Sequence, residues 1–384
     1  MDTNFSLKTP FAFLPALLVS LMPGIGTQRY WSLVNALGSP ENVLAASPAV
    51  IPFLDEQGRS QLRDFQKLGE SSILMQNAQQ IIEEVTEHQG TIIHVNSQYY
   101  PELLREIHHP PPILYAKGDI ENLSLPQLAL VGSRHPTHGG LQNTRLFTRH
   151  LVNSGFAITS GMALGIDSSA HQTALEAGGK TIGVMATGID EIYPKRHRYL
   201  AHQLLAQGGT LLSEFPPRTP PRASHFPQRN RIISGLSLGV LVIEAAVKSG
   251  SLITANYALE QGREVFTIPG SIHNPQSKGC HRLIKEGATL VESGEDMIEH
   301  LEGLIGHIRQ TAKSTAETDK HTERDISSLS PQQATIIEHL GFEPTSITQI
   351  MESTQLNSHE VNTLLAQLEI DGWIKFSRWG YERV

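Results

Sequence analysis

A single cysteine, Cys280, stands among 384 residues, which excludes an internal disulfide, and nothing in the chain resembles a Cys/His zinc cluster. A lone thiol fits a reducing compartment, so a cytoplasmic protein is expected. No apolar run approaches the roughly 20 residues that cross a bilayer. The nearest candidate, Phe11 to Met22, is broken by Pro15 and has no strongly basic region before it, so it reads as a core helix and membrane insertion is not expected. Two phosphate motifs are also missing. There is no Gly-x-x-x-x-Gly-Lys-Ser/Thr for a P-loop, no Gly-x-Gly-x-x-Gly for a dinucleotide, and no acidic residue closing the strand candidate Ala157–Thr159. No bound cofactor and no metal are expected. What remains, at 39% hydrophobic and 18% charged residues, is a globular composition.

The formal net charge of −8 argues at first against a polyanionic partner, but the charge is unevenly spread. From Ala129 to Leu290 there are 16 Lys plus Arg against 9 Asp plus Glu, an excess of seven positive charges, so the acidic balance sits at the two ends. A basic middle between acidic flanks is compatible with a local phosphate-binding groove.

Four segments are predicted. Residues 1–110 are mostly helical in pattern, with helical spacing through Leu33, Val34 and Leu37 and again from Ile73 to Val85. Within them, Gly24-Ile25-Gly26 reads as a helix-hairpin-helix turn whose amides can hold a phosphate, or as a plain tight turn between packed helices. Residues 111–304 change to short apolar runs, each followed by a Gly-rich loop and a helical stretch. The strand candidates are Leu128–Val131, Ala157–Thr159, Thr181–Met185, Thr210–Leu212, Val240–Ile243, Glu264–Ile268 and Thr289–Val291. Helices between them imply a Rossmann-like α/β domain with a mostly parallel sheet covered on both faces, whose ligands sit beyond the strands' C-terminal ends. Residues 305–328 are polar and read as a linker. Residues 329–384 show three short helical patterns followed by an extended piece, the order of a winged-helix-like domain.

The chemistry sits in the loops. Gly132-Ser133-Arg134 leaves a strand: the glycine permits close backbone approach, the serine offers a hydroxyl, and the arginine is a permanent cation. The next loop, Ser160-Gly161-Met162-Ala163-Leu164-Gly165-Ile166-Asp167, adds Gly161 to the candidate phosphate set. Asp167 reads as the N-cap of a helix beginning near Ser168 in preference to a catalytic acid, and His171 as a local hydrogen-bonding residue. In Phe226-Pro227-Gln228-Arg229-Asn230-Arg231 the two arginines are two apart on a helix, about 200° around the axis, so they cannot share a ligand. One should meet a phosphate in solvent and the other a carboxylate, Glu214 or Glu244. The reading of both as ordinary surface or salt-bridge residues competes with this. Phe226 can stack a base or simply pack the core. Ser249-Gly250-Ser251 heads a further helix, where amides, hydroxyls and the helix dipole favour an anion.

Taken together, Gly132-Ser133-Arg134, Ser160 to Asp167, Gly188-Ile189-Asp190-Glu191-Ile192-Tyr193-Pro194, Phe226 to Leu236, Ser249 to Ala255 and Gly262 to Gly270 resemble the DprA/Smf family of bacterial DNA-processing proteins, in order, over about residues 113–292. The ends are similar only in layout. The resemblance implies a non-enzymatic homodimer that binds and protects incoming single-stranded DNA and helps load RecA recombinase during natural transformation. It places the DNA pocket on Ser133, Arg134, Phe226, Arg229, Asn230, Arg231 and Ser249 to Ser251, with Gly250 at the centre of the last turn. It puts a dimer contact on Gly279 to Ile284, through His281, Leu283 and Ile284, with Cys280 a small packing residue.

The presumed third helix of the C-terminal module, Asn357 to Asp371, holds Glu360, Glu369 and Asp371 but no Lys or Arg. A DNA-reading helix leans on cations, so this module is expected to serve protein contact or regulation. Two other functions compete with a DNA mediator. One is a nucleotide hydrolase similar to the lysine-decarboxylase-like phosphoribohydrolases, although no carboxylate follows Ser249 to Thr254 where one is expected. The other is a nucleotide-sensing scaffold that touches no polymer.

Overall fold

The computed structural model describes residues 11–51, 54–301 and 330–340, with further positions between 350 and 383. The chain divides into two compact units, residues 1–306 and 307–384.

In the first unit the N-terminal helices are α1 (Leu14–Leu21), α2 (Thr27–Leu37), α3 (Pro40–Ala45), α4 (Glu56–Leu68) and α5 (Ile73–Glu87). Three have a local polar start. The side chains of Ser39, Asp55 and Ser72 each accept an amide of the first turn of α3, α4 and α5. The apolar run expected to be a core helix is α1, whose Leu14, Leu17, Leu18 and Val19 are fully buried. Among the described residues no helix is long and apolar enough to cross a membrane.

A nine-stranded sheet follows: β1 (Gly90–His94), β2 (Ile113–Gly118), β3 (Gln127–Val131), β4 (Ala157–Gly161), β5 (Thr181–Val184), β6 (Thr210–Ser213), β7 (Gly239–Val242), β8 (Glu264–Thr267) and β9 (Thr289–Leu290). Its spatial order is β1-β2-β6-β5-β4-β3-β7-β8-β9. From β6 to β9 neighbours run parallel, and β1 and β2 are antiparallel additions. The helices are α6 (Glu102–Arg105), α7 (His138–Asn153), α8 (Ile166–Glu176), α9 (Arg198–Ala206), α10 (His225–Gly235), α11 (Ser251–Glu260) and α12 (Lys278–Lys285). All seven strand candidates form strands at nearly the expected bounds, because runs apolar on both faces bury fully, as β3 to β7 do.

No break in packing falls at residue 110. β1 lies before it and pairs with β2 beyond it, in register from Gly90 with Lys117 to His94 with Ile113. Ile113 and Tyr115 of β2 share one apolar core with α1 to α5, and Trp31 Nε1 donates to Pro110 O at 2.6 Å. Strand β1 escapes the sequence pattern because only Ile93 of its five residues is buried.

The sheet order places a topological switch at β3. Strands β4, β5 and β6 extend from β3 in one direction, while β7, β8 and β9 extend in the other. The loops leaving β3 and β7 therefore diverge and open a crevice beyond the C-terminal ends of the two strands.

The second unit contains a helix, Pro331–His339, whose Ser330 cap and Gln333 form a reciprocal capping box. It also has a hairpin of β10 (Ile374–Ser377) and β11 (Gly380–Arg383). Ile336, Ile337, Ile350, Val361, Leu365, Leu368 and Ile374 make its separate core. The expected linker 305–328 and most of the expected helix 357–371 lie outside the described residues.

Candidate functional site

The crevice at the switch point is a cavity of about 640 Å³. Its walls are the loop after β3, the start of α8, the first turns of α10 and the turn heading α11. Gly132, Ser133, Arg134, Phe226, Arg229, Asn230, Ser249, Gly250 and Ser251 all line it.

The loops after β3 and β4 approach each other too closely at Gly132 and Gly165 for a side chain at either position. A Cβ at Gly132 would lie 2.7 Å from the Ile166 side chain, and one at Gly165, where φ is +82°, would lie 2.3 Å from Ser133 O. Ser133 is buried and its Oγ accepts the His135 amide at 3.1 Å, while Arg134 is exposed with its guanidinium carbon 5.6 Å from the Phe226 ring centre. That places a cation over an aromatic face, free to reach an anion as well.

Two acids do not act as expected. Helix α8 starts at Ile166 with Gly165 as its cap, so Asp167 is not an N-cap but a buried carboxyl in the first turn, lining the cavity. Burial raises its pKa to about 7, against the opposing pull of Arg229, the Ala163 amide and Arg134. Glu244, two residues past β7, pairs with no arginine among the described residues. Its carboxylate accepts Thr137 N at 2.8 Å and Thr137 Oγ1 at 2.5 Å, and Thr137 in turn caps α7 through Gly140 N at 3.0 Å. Glu244 thus ties the two diverging loops together across the switch point.

The two arginines of α10 separate as helix geometry requires. Arg231 forms an ion pair with Glu214 and donates to His109 O at 3.0 Å. It lines a different cavity, of about 570 Å³, with Gly24, Gly26, Arg29, His108 and His109. Arg231 is therefore removed from the candidate pocket, and the Gly24-Ile25-Gly26 turn borders this second cavity. Arg229, left as the residue that should meet solvent, is only 5% exposed. It lies in the cavity floor, donates to Val184 O, and has its pKa lowered to about 10 by burial, with Asp167 opposing. Tertiary packing overrides the expectation because Gly161 leaves space beneath: a Cβ there would lie 2.5 Å from Arg229 Nη1. Gly161 therefore seats the arginine and does not itself line the pocket.

Asn230 Nδ2 donates to Gly250 O at 3.3 Å, linking α10 to the turn that heads α11. Ser249 Oγ and Ser251 Oγ lie 2.7 Å apart, and Ser249 Oγ accepts the Ser251 amide at 3.3 Å at the head of α11. Lys248 is exposed in the cavity wall. It went unselected in the sequence, although a lysine directly before a serine-glycine-serine turn was a usable signal. His171, as expected, makes a local contact, its Nδ1 2.7 Å from Thr181 Oγ1. The site thus offers one exposed guanidinium, one ammonium, three serine hydroxyls and an aromatic face above a buried Arg229 and Asp167, an arrangement fit to hold a phosphate chain beside a base.

The sequence profile of the family described as DNA recombination-mediator protein A matches residues 91–302, and that of the DprA winged helix domain matches residues 320–375. The chain belongs to the DprA/Smf family. It is 42% identical to Protein Smf of Escherichia coli over 76% of this chain and 77% of that protein, and 41% identical to DNA processing protein DprA of Bacillus subtilis over 67% and 89%. The X-ray structure of DprA from Streptococcus pneumoniae superposes with a TM-score of 0.61 at 35% identity, covering 74% of this chain and 96% of that one. A structure of DNA processing protein A from Helicobacter pylori, described with its single-stranded DNA binding mode, superposes at 0.51 with 31% identity over 57% and 98%. The fold is thus the DprA/Smf fold, a mostly parallel α/β sheet with a C-terminal winged helix. The segment carried over from the family as a dimer contact lies on α12. Its Leu283 packs in the sheet core at 2% exposure and cannot serve a surface contact, whereas His281 and Ile284 are half-buried, and Cys280 is buried as expected.

Proposed function

We propose that this DprA/Smf protein is a cytoplasmic, non-enzymatic mediator that binds single-stranded DNA in the switch-point cavity, protects it and hands it to RecA recombinase during natural transformation. Arg134, Lys248, Ser133, the Gly250 amide and the hydroxyls of Ser249 and Ser251 hold successive phosphates, and Phe226 stacks a base. Arg229 and Asn230 act from below, one as a buried positive charge and the other by fixing the Ser-Gly-Ser turn. The carrying observation is that Arg134, Phe226, Arg229 and Ser249 to Ser251, from three separate stretches, share one cavity. The H. pylori relative described with a single-stranded DNA binding mode supports the ligand class. A homodimer using the outer side of α12, through His281 and Ile284, completes the reading, and the winged helix serves a protein partner or regulation.

Fluorescence anisotropy with single- and double-stranded oligonucleotides at two salt concentrations tests this. Tight single-strand binding that falls with salt is expected, and Arg134→Ala and Lys248→Ala should each flatten the log–log salt slope by about 0.7, the increment for one single-strand phosphate contact. Equal binding by wild type and Arg134→Ala overturns it.

A hydrolase reading has one observation in its favour: Asp167, the single carboxyl among the cavity's lining residues, has a pKa near neutrality. Arg229 and the Ala163 amide both favour its ionised form, which works against a role as proton donor. Release of free base from nucleoside monophosphates, lost in Asp167→Asn, is the result that would favour it.

A further inference from the structure

Beside the switch-point cavity lies a second, smaller hollow of about 70 Å³. The two share Arg134, Ala163, Phe226 and Arg229 in their walls, so they adjoin one another. Apart from Arg134, Arg229 and Thr187 the walls of the smaller hollow are apolar or aromatic: Met162 and Leu164 come from the loop after β4, and Tyr193 and Pro194 from the loop after β5. Tyr193 is 45% exposed, and its ring meets Phe226 edge-on at 5.7 Å between centres. Nothing in the phosphate chemistry described above uses these residues.

We infer that this hollow is a nucleobase slot, and that Tyr193 is a binding residue for one base of the bound strand. The inference rests on the proposed single-strand binding and deepens it. Arg134 stands at the junction, where it faces the phosphate cavity on one side and the Phe226 ring on the other. A nucleotide whose phosphate is held by Arg134 therefore has its base beside Phe226. There the slot offers aromatic and thioether surface and a proline ring beside the shared arginines, which suit the flat face of a base. The hollow equals roughly the share of two waters in liquid. It takes the edge of a six-membered ring entering from the larger cavity, with the remainder of the base resting against Tyr193 and Phe226.

The slot is preset. Thr187 Oγ1 donates to Glu191 O at 2.6 Å, and both Asp190 oxygens accept the Arg218 amide at 3.0 Å. Arg218 is itself paired with buried Glu84 at 3.1 Å. On the other wall, His197 Nδ1 lies 2.9 Å from Met162 O. A loop tied at these points holds Tyr193 in place before the strand arrives, so little ordering is needed on binding.

The test compares a thymidine oligonucleotide with an abasic one of equal length, by anisotropy, for the wild type, Tyr193→Ala, Tyr193→Phe and Arg134→Ala. Tyr193→Ala is expected to weaken thymidine binding roughly 5- to 150-fold, the range for one stacked base, and to leave abasic binding unchanged. Tyr193→Phe should keep wild-type affinity, and Arg134→Ala should weaken both strands. Full thymidine affinity in Tyr193→Ala, equal loss on both strands, or a Tyr193→Phe variant as weak as the alanine one overturns the slot while leaving the phosphate cavity intact. A wild type that binds neither strand overturns the reading of the cavity itself, and the slot with it.

Discussion

Asp167 and Arg229 show how a pair of buried side chains sets the charge of a binding cavity. The folded pKa of Asp167, about 7, lies above its ordinary value of 3.8, so the native state holds a proton that the unfolded chain releases. Its contribution to stability is complete below about pH 4 and is lost as pH rises to 7. The same titration changes the cavity. Below pH 7 the carboxyl is neutral and the site carries one more net positive charge, so anion affinity should rise as pH falls from 8 to 6, by at most about tenfold per pH unit. Asp167→Asn should bind oligonucleotide at pH 8 as the wild type does at pH 6, with a flatter profile, in anisotropy at constant ionic strength. Gly161 makes a second residue-scale prediction. Gly161→Ala pushes the Arg229 guanidinium off Val184 O and should cost about 1–3 kcal/mol in thermal or denaturant unfolding.

At the scale of elements, the clamp between β7 and α7 decides the shape of the crevice. Glu244 receives both the amide and the hydroxyl of Thr137, and Thr137 starts α7. Glu244→Gln loses charge-assisted bonds in a buried setting and should lower stability by about 1.5–3 kcal/mol. The denaturant midpoint should fall with an unchanged slope. Single-strand affinity should fall too, because the Arg134 loop hangs from the same point. The seven parallel strands were legible, five of them, β3 to β7, because full burial writes a continuous apolar run. Strand β1 was not, because only Ile93 of its five residues is buried, and β2 was passed over although four of its six residues are buried. The start of α8 was misplaced because Asp167 is a good capping residue in the abstract, while Gly165 at positive φ is what ends the loop.

For the whole molecule, the division into units 1–306 and 307–384 predicts that deleting 329–384 leaves the sheet unit folded. Its single-strand affinity should stay within about twofold of wild type, far from the loss in Arg134→Ala, as anisotropy on the purified truncation will read. The cationic middle was visible as a charge count, but its local meaning was not. Arg231 and Glu214 cancel within a buried pair, and Arg229 is hidden beneath the surface, so the exposed cations at the cavity reduce chiefly to Arg134 and Lys248.

Local chemistry alone settled several features of this protein: the order of strands and helices, the glycine loops at strand ends, and the separation of Arg229 from Arg231 by helical pitch. Those follow from periodicities and backbone freedom that act within a few residues. Which arginine would be buried, that Glu244 would hold Thr137 107 positions away, and that Tyr193 would meet Phe226 were decided only by the folded sheet. Contacts between distant stretches depend on strand order and on the space that residues such as Gly161 leave open, and neither is written in a local pattern.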